Sequence, residues 1–414
     1  DCDGDMPSRV MRLACSTVRE SRAGEFRLRV NRLIVRLTDI LHADYHKSAK
    51  ARTSESLKQS VGTGYEQVFD FDEMSRILSF GAARDLLSKS RRQRIEKTLK
   101  ALESQKFVAL TPTADSGIYE YEFDTCAAAI TAFQQRLPEV VALIKAVNIA
   151  DLEITNIYRE VKHDSYFDHF DEASISTRDL AVFPPYLVCL SGDHRSDTGI
   201  SEILAILSSS VPIKILFQSD SILQSPDDPD GPFSTGFQDA GLASMAIGIN
   251  SAYVLQSGSA GLYQLSDQVI GGLNFDGPAL FSVFSGSSAM ANVPPYLMSA
   301  AAAESRAFPT FIFDPAAGPD WAARFNIDNN PQADQPWPIH HQEYQDQDLQ
   351  RKSEDAAFTM ADFAACDEQY ASFFDNLPEN KDHDDLISLA DFLDTENIES
   401  TSSIPYVSIV DEHN

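Results

Sequence analysis

Apolar residues recur every three or four positions in the first 160 residues, which is the spacing of amphipathic helices. Helices of this kind are predicted over residues 7–60, twice within 66–108, and over 126–160. Between the last two, the short apolar runs 108–110 and 118–123 flank a turn at 114–117 and predict a β-hairpin. We therefore expect a helical region with one hairpin in this part of the chain.

From residue 183 onward, short uninterrupted apolar runs alternate with helix-like segments. Such runs are typical of strands that are covered on both faces of a sheet. Repeated strand–helix–strand units of this length predict an α/β fold with a doubly wound, mostly parallel sheet. The predicted strands are 186–190, 211–217, 251–256, 278–284 and 308–314, and the predicted helices are 200–207, 236–248, 262–274 and 294–306.

These patterns divide the chain into four predicted domains. They are an N-terminal helical segment (1–62), a helical region with the hairpin (63–182), an α/β domain (183–345) and an acidic C-terminal extension (346–414). The extension is expected to hold a helix near 359–374 and a final strand at 405–410. Because the chain does not begin with Met and ends just after that strand, we expect it to be a segment of a longer polypeptide.

Charge is distributed unevenly along this acidic protein, whose net charge is −29. Residues 1–107 hold 21 Lys and Arg against 15 Asp and Glu, whereas residues 108–414 hold 12 against 47. The acidic part would repel a nucleic acid, so we predict no nucleic-acid partner for the body of the protein. A basic helix followed by a hairpin is nevertheless typical of a winged helix, and the alternative is a solvated helix face. The basic residues concerned are Arg91, Arg92, Arg94, Lys97 and Lys100.

The five cysteines are scattered, and none forms a Cys-x-x-Cys pair. They are Cys2, Cys15, Cys126, Cys189 and Cys366. This spacing predicts no iron–sulfur cluster and no zinc ribbon in this segment. No apolar run approaches the roughly 18 residues that a membrane-spanning helix needs. We therefore predict a cytoplasmic protein without a membrane span.

Polar residues follow two consecutive predicted strands, at Gly192-Asp193-His194 and at Ser219-Asp220. Ligands of doubly wound sheets bind at the carboxyl ends of the strands. The Asp193 carboxylate and a side-chain oxygen of Ser219, Asp220 or Gln224 could share a hard cation. That cation would bridge a diphosphate, which backbone amides at the following helix also favour. The alternatives are a helix N-cap for Asp193 and a turn aspartate for Asp220.

The order of these motifs resembles that of the thiamine-diphosphate-binding region of pyruvate:ferredoxin (2-oxoacid) oxidoreductases. The resemblance covers residues 183–345, under half of the chain. It rests on Gly192-Asp193, Asp197 and Gly199, on the strand from Val211, on Phe275-Asp276-Gly277-Pro278-Ala279-Leu280, and on Arg-Ala-Phe-Pro-Thr-Phe-Ile-Phe-Asp-Pro at 306–315. It implies a thiamine-diphosphate-binding-like fold and a cofactor site at Gly192, Asp193, His194 and Asp197. It also implies a magnesium site at Asp193 with Ser219, Asp220 or Gln224.

Two departures from the family pattern bear on function. The second glycine of the family's Gly-Asp-Gly motif is His194 here, and the family's asparagine ligand has no clear counterpart. The resemblance implies a segment of a larger 2-oxoacid:ferredoxin oxidoreductase that contributes the diphosphate and Mg²⁺ half of the cofactor site. There the cofactor would support oxidative decarboxylation, and iron–sulfur clusters elsewhere would take the electrons.

The resemblance also implies partners. These are other domains or subunits of the same oxidoreductase, a ferredoxin or flavodoxin-type electron acceptor, and a second copy of the chain in a homodimer. The alternative function is a non-catalytic structural or interaction module of an oxidoreductase complex, one that kept the fold and lost the cofactor.

Two groups of histidines are further metal candidates. His42 and His46 lie four residues apart on a predicted helix, but no third ligand follows at a diagnostic spacing. A second group stands in a predicted polar loop over 163–170. The plainer alternative for both groups is a solvated polar surface.

Overall fold

The computed structural model describes residues 3–61, 69–79, 87–107, 119–191, 197–223, 240–287, 293–345, 350–375, 386–394 and 403–409. The chain divides into two compact units. The first unit comprises Asp1–Arg19, Glu120–Thr131 and Pro184–Asn414, and the second comprises Glu20–Tyr119 and Ala132–Phe183. The division into four domains stays a prediction.

The region before residue 183 is mainly helical. Its α-helices are α1 (Met6–Lys47), α2 (Ser54–Val61), α3 (Phe71–Ser79), α4 (Lys89–Glu103), α5 (Cys126–Ile154), α6 (Glu160–Asp168) and α7 (Thr177–Leu180). The predicted polar loop over 163–170 is wrong, because most of it belongs to α6. The backbone N–H of Arg159 donates to Nδ1 of His163 (2.9 Å) and satisfies a free amide at the start of this helix. Hydrophobic periodicity does not reveal a bond of this kind.

A mostly parallel sheet of seven strands forms the centre of the first unit, in the order β1-β2-β3-β5-β4-β6-β7. The strands are β1 (Glu122–Phe123), β2 (Tyr186–Ser191), β3 (Ile213–Ser219), β4 (Tyr253–Gly258), β5 (Ala279–Phe284), β6 (Phe311–Phe313) and β7 (Phe325–Asn326). The helices that connect them are α8 (Asp197–Leu207), α9 (Ala240–Ile249), α10 (Ser266–Asn274) and α11 (Pro295–Glu304). The prediction of an α/β fold with a mostly parallel sheet is confirmed. Two strands depart from it, since β6 is antiparallel to β4 and β7 is antiparallel to β6.

The predicted hairpin lies only partly within the described residues. Glu122 and Phe123 pair in parallel with Leu187 and Val188 of β2, so this arm joins the large sheet. Residues 108–118, which hold the other arm and the turn, lie outside the described residues. An apolar run indicates a strand, but it does not indicate which strand will be its neighbour.

The central strands are continuous apolar runs in the sequence because they are buried on both faces of the sheet. Every residue of β3, β4 and β5 is buried. One apolar cluster of the first unit joins these strands to the beginning of α1, through Met11 and Cys15, and to α10, through Val269 and Leu273. Another cluster surrounds Phe284 and includes the buried face of α11. The sheet is therefore covered by helices, as parallel sheets require.

One buried charge interrupts this apolar pattern. Lys214 of β3 is fully buried, and its Nζ donates to the carbonyl oxygens of Phe275 (2.6 Å) and Gly277 (2.7 Å). Both carbonyls belong to the turn that leads into β5. A buried charge is tolerated only where hydrogen bonds replace its hydration, and here those bonds fasten β3 to the turn before its neighbour.

The C-terminal part contains a β-hairpin that the sequence did not predict. Its strands, β8 (Ile339–Gln345) and β9 (Arg351–Ala357), pair in antiparallel fashion. They are followed by α12 (Met360–Ala365), a 3₁₀ helix (Glu368–Phe373), β10 (Leu386–Ser388), α13 (Leu389–Leu393) and β11 (Ile404–Tyr406). The helix predicted near 359–374 is thus split in two, and the predicted last strand overlaps β11. Within the described ranges, no helix has the length and apolar character needed to cross a membrane.

Candidate functional site

Three neighbouring parallel strands end side by side in the first unit. Ser191 at the end of β2 is in register with Gln218 of β3, and Ser219 at the end of β3 is in register with Phe284 at the end of β5. The residues that follow these strands therefore share one edge of the sheet. This is the edge at which doubly wound sheets bind ligands.

Only part of the predicted site lies within the described residues. Gly192, Asp193, His194 and Gln224 lie outside them, and Asp197 is described only as the first residue of α8. Ser219 and Asp220 are described, and they stand next to each other where β3 ends. A shared cation between Asp193 and the β3 end therefore stays a prediction.

The carboxylate of Asp220 accepts three hydrogen bonds, and all of them end on Oδ1. The donors are Oγ of Ser285 (2.6 Å), Oγ of Ser287 (3.1 Å) and Nε2 of Gln218 (3.4 Å). Ser285 and Ser287 follow β5, whereas Gln218 belongs to β3 itself. This half-buried carboxylate therefore connects the ends of two neighbouring strands.

The same network extends to the N-terminal residues of the chain. Nε2 of Gln218 also donates to the carbonyl oxygen of Gly4 (2.7 Å), and its Oε1 accepts from Oγ of Ser8 on α1 (3.1 Å). A Cβ atom at Gly4 would lie only 2.6 Å from Oγ of Ser287, so the backbone approaches the strand ends closely. The start of the chain is thus packed against the edge where a ligand would bind.

Close packing also surrounds the other predicted ligand, Ser219. This residue is buried, and its hydroxyl donates to the carbonyl oxygen of Ser221 (2.8 Å). Its own carbonyl accepts from the backbone N–H of Ser285 (2.8 Å), which extends the β3–β5 pairing beyond the strands. The next residue, Gly286, has a φ of +76°, and a Cβ there would lie 2.1 Å from the carbonyl oxygen of Pro295.

Without Gly192, Asp193, His194 and Gln224, the described residues at this edge supply only part of what a magnesium diphosphate site needs. Mg²⁺ takes near-octahedral oxygen ligands and is usually held by one or two carboxylates together with phosphate oxygens. Across the parts of the chain that the structure describes, no three His, Cys, Asp or Glu residues come together as a metal site. Asp220 is the single carboxylate of this network, and its Oδ1 already accepts from three protein donors.

Sequence reasoning missed most of this network. Gln218 is internal to a buried strand, and Ser285, Ser287 and Ser8 stand outside any motif. A usable signal was the run Ser285-Gly286-Ser287 directly after an apolar strand, which mirrors Ser219-Asp220-Ser221 at the end of β3. The sequence pattern does not indicate that β5, and not β4, is the neighbour of β3.

The basic residues of α4 are held by carboxylates within the second unit. Nε of Arg91 and Nε of Arg94 each donate to Glu153 at 2.7 Å, and Arg92 is paired with Asp44. The side chains of Glu153 and Asp44 are both only 1% exposed. Three of the five basic residues named for a winged helix are therefore engaged in ion pairs, which favours a structural role over a contact with nucleic acid.

The histidine groups do not form metal sites in the described structure. The rings of His42 and His46 lie 6.5 Å apart, edge to face. His163 caps the start of α6, and Nδ1 of His169 lies 2.8 Å from the carbonyl oxygen of Ser165. These contacts are local to α1 and α6.

No protein-family model matches the sequence, and no curated protein matches it either.

Proposed function

We propose that this chain is a non-catalytic α/β module of an oxidoreductase complex, similar in architecture to the thiamine-diphosphate region of 2-oxoacid oxidoreductases. One observation carries the proposal. Asp220, one of the three candidates for the metal ligand beside Asp193, joins the ends of β3 and β5 through Ser285, Ser287 and Gln218. The ends of β3 and β5 then have a structural role, and we assign no decarboxylation to this segment.

The departures in the sequence support the same proposal. A histidine replaces the glycine whose lack of a side chain lets a diphosphate approach in the family, and the asparagine ligand has no clear counterpart. Gln218, the residue before the predicted ligand Ser219, is bonded to Gly4 and Ser8. A ligand at this edge would have to displace several internal hydrogen bonds, which contribute about 0.5–1.5 kcal/mol each, or about 1.5–3 kcal/mol where the acceptor is the Asp220 carboxylate.

The charge of the chain indicates the chemistry of the proposed partners. Residues 108–414 hold 47 acidic against 12 basic side chains, so long-range attraction favours a partner with a basic surface. We assign that role to other domains or subunits of the same cytoplasmic oxidoreductase, with a second copy of the chain as a further partner. Electron transfer to a ferredoxin or flavodoxin-type acceptor would take place on those other segments.

Thermal unfolding with and without Mg²⁺ and thiamine diphosphate tests the proposal. Both tryptophans, Trp321 and Trp337, belong to the first unit, so tryptophan fluorescence reports on the unit that holds the strand ends. A ligand at 100 times its dissociation constant would stabilise the folded state by about 2.7 kcal/mol. We expect no shift at millimolar ligand. A saturable shift that is absent from Asp220→Asn would overturn the proposal and favour the catalytic half-site.

A further inference from the structure

A serine, a histidine and an aspartate meet on the C-terminal hairpin of the first unit. Nδ1 of His341 lies 2.7 Å from Oδ1 of Asp355, and Nε2 of His341 lies 2.8 Å from Oγ of Ser353. The aspartate on Nδ1 and the serine on Nε2 are the two contacts that a Ser-His-Asp triad requires. Such triads are recognised by geometry and roles, because they recur on unrelated folds.

The strand pairing holds these side chains in place. His341 of β8 is the direct cross-strand partner of Asp355 of β9. Ser353 stands two residues before Asp355, so both side chains lie on the same face of the hairpin. A carboxylate that accepts Nδ1–H leaves the lone pair of Nε2 to the serine hydroxyl, which is the tautomer of a general base.

Of the three residues, His341 alone borders a cavity of about 500 Å³, a size typical of small-molecule sites, and Ser353 reaches its rim through the contact with this histidine. Most of the cavity wall is apolar and comes from α11, β9, the residue after β9, and the C-terminal segment. The apolar residues that line it are Leu297, Ala300, Ala301, Ala356, Ala357, Phe358 and Ile409. Glu304, His340, His341 and Ser408 supply the polar part of the wall. The larger, apolar part fits a hydrocarbon group.

We propose that Ser353, His341 and Asp355 form a hydrolytic site for carboxylic esters, with the cavity receiving an apolar acyl group. Ser353 is the nucleophile, His341 is the general base, and Asp355 is a positioning residue that fixes the tautomer and orientation of the imidazole. The proposal is independent of the strand-end network, because it concerns other residues and another ligand.

The reaction has two steps, with water as the second reactant. Oγ of Ser353 attacks the ester carbonyl carbon while Nε2 of His341 takes the hydroxyl proton. The bond to the alcohol oxygen then breaks, and the alcohol leaves with that proton. Water next attacks the acyl-serine and gives a proton to Nε2. The bond to Oγ breaks, Oγ recovers the proton, and the carboxylic acid leaves.

The exposure of the triad to solvent limits the rate of ester hydrolysis that we expect. The side chains of His341 and Asp355 are 62% and 69% exposed, so water competes for the hydrogen bonds of the triad. A positioned general base contributes roughly 10²–10⁴-fold. We expect the lower end of this range, about 10²-fold, and substrates with good leaving groups.

Labelling and ester hydrolysis by the full chain test the proposal. We expect a fluorophosphonate probe to label Ser353, as located by peptide mass spectrometry, and the chain to hydrolyse p-nitrophenyl butyrate. Ser353→Ala and His341→Gln should abolish labelling and lower the rate about 10²-fold. Asp355→Asn should lower kcat with KM unchanged, because this residue does not touch the substrate. Since all three side chains are exposed, the variants should keep the wild-type tryptophan fluorescence.

Two further variants separate the site from unspecific effects. We expect the wild type to hydrolyse p-nitrophenyl butyrate faster than p-nitrophenyl acetate. Ala300→Phe narrows the cavity and should abolish this preference, while Ser353 remains labelled. His42→Gln removes an exposed imidazole of α1 and should leave the rate unchanged. Wild-type hydrolysis no faster than that of Ser353→Ala, with Ser353 unlabelled, would overturn the proposal and leave the three residues as a cross-strand contact of the hairpin.

Discussion

Oγ of Ser285 lies 2.6 Å from Oδ1 of Asp220, and this hydrogen bond joins the ends of two neighbouring strands. Hydrogen bonds to charged groups contribute about 1.5–3 kcal/mol. We expect Ser285→Ala to lower the unfolding free energy of the first unit by that amount. Urea unfolding followed by the fluorescence of Trp321 and Trp337 measures it.

Ser282 provides a matched control on β5, the strand that Ser285 follows. It is as buried as Ser285, but its hydroxyl has no hydrogen-bond partner in the structure. Ser282→Ala removes an unsatisfied buried polar group, so we expect no loss of stability and at most a small gain. Equal losses of unfolding free energy in Ser285→Ala and Ser282→Ala would contradict a specific stabilisation by the hydrogen bond to Asp220.

Gly286 is expected to tolerate no side chain. Its φ of +76° and the carbonyl oxygen of Pro295, 2.1 Å from the position of a Cβ, both oppose alanine. Positive-φ strain alone costs on the order of 1–3 kcal/mol, so Gly286→Ala should lower the urea midpoint clearly. Gly271, in α10, is exposed with free space around it, and Gly271→Ala should stabilise by about 0.5–1 kcal/mol. Similar changes in the unfolding free energy for Gly286→Ala and Gly271→Ala would contradict the conformation and close packing of Gly286.

Two thiols, that of buried Cys15 and that of half-buried Cys189, are expected to make the first unit less stable in alkali. Burial raises the pKa of Cys15 and the pKa of Cys189 from 9.0 to about 11, because the thiolate would lose its hydration. Below pH 9 both folded and unfolded chains keep these protons, so stability is unaffected. Between pH 9 and 11 the unfolded chain loses them first, and stability falls by up to about 1.4 kcal/mol per pH unit and thiol.

Urea unfolding at about pH 8 and about pH 10 measures this effect. Because other groups also titrate in this range, the readout is the difference in pH dependence between the wild type and Cys15→Ala/Cys189→Ala. The double variant should lose less stability between the two pH values. An identical loss of unfolding free energy in the wild type and the double variant would mean that the two thiols do not contribute to the pH dependence.

Glu153 is a buried carboxylate of the second unit whose replacement is expected to be costly. Its two oxygens accept from Arg91 and Arg94, and its side chain is 1% exposed. Removing one partner of a buried pair costs about 3–5 kcal/mol. Both arginines keep some exposure, so we expect the lower end of that range for Glu153→Ala in urea unfolding followed by circular dichroism. Asp151→Ala, which breaks an exposed pair with Arg29, should cost less than about 1 kcal/mol.

The central strands could be predicted because a covered parallel sheet imposes continuous apolar runs. The direction of β6 and the partner of Phe123 could not, since hydrophobicity depends on burial and carries no information on pairing. The hairpin of β8 and β9 was missed for a related reason. The run Ile-His-His-Gln-Glu-Tyr-Gln of β8 has few apolar residues, so nothing in its pattern indicates a strand.

The candidate site shows the same limit. The sequence placed Asp220 correctly at a strand end, but its donors Ser285 and Ser287 come 65 and 67 residues later. They reach Asp220 because β5 inserts between β3 and β4 in the sheet. The bond between Gln218 and Gly4 spans 214 residues and depends on the packing of α1. Chain order alone contains no signal for either contact.

The stability of Asp220→Ala without any ligand tests most directly whether this carboxylate serves packing. Our account predicts that the variant loses at least about 1.5 kcal/mol in urea unfolding followed by tryptophan fluorescence, because three donors lose their acceptor. Asp276→Ala, at an exposed aspartate of the same unit, should stay within about 0.5 kcal/mol of the wild type. A carboxylate reserved for a cation is instead a cost to the ligand-free fold. An Asp220→Ala variant as stable as the wild type, or more stable, would therefore contradict the account.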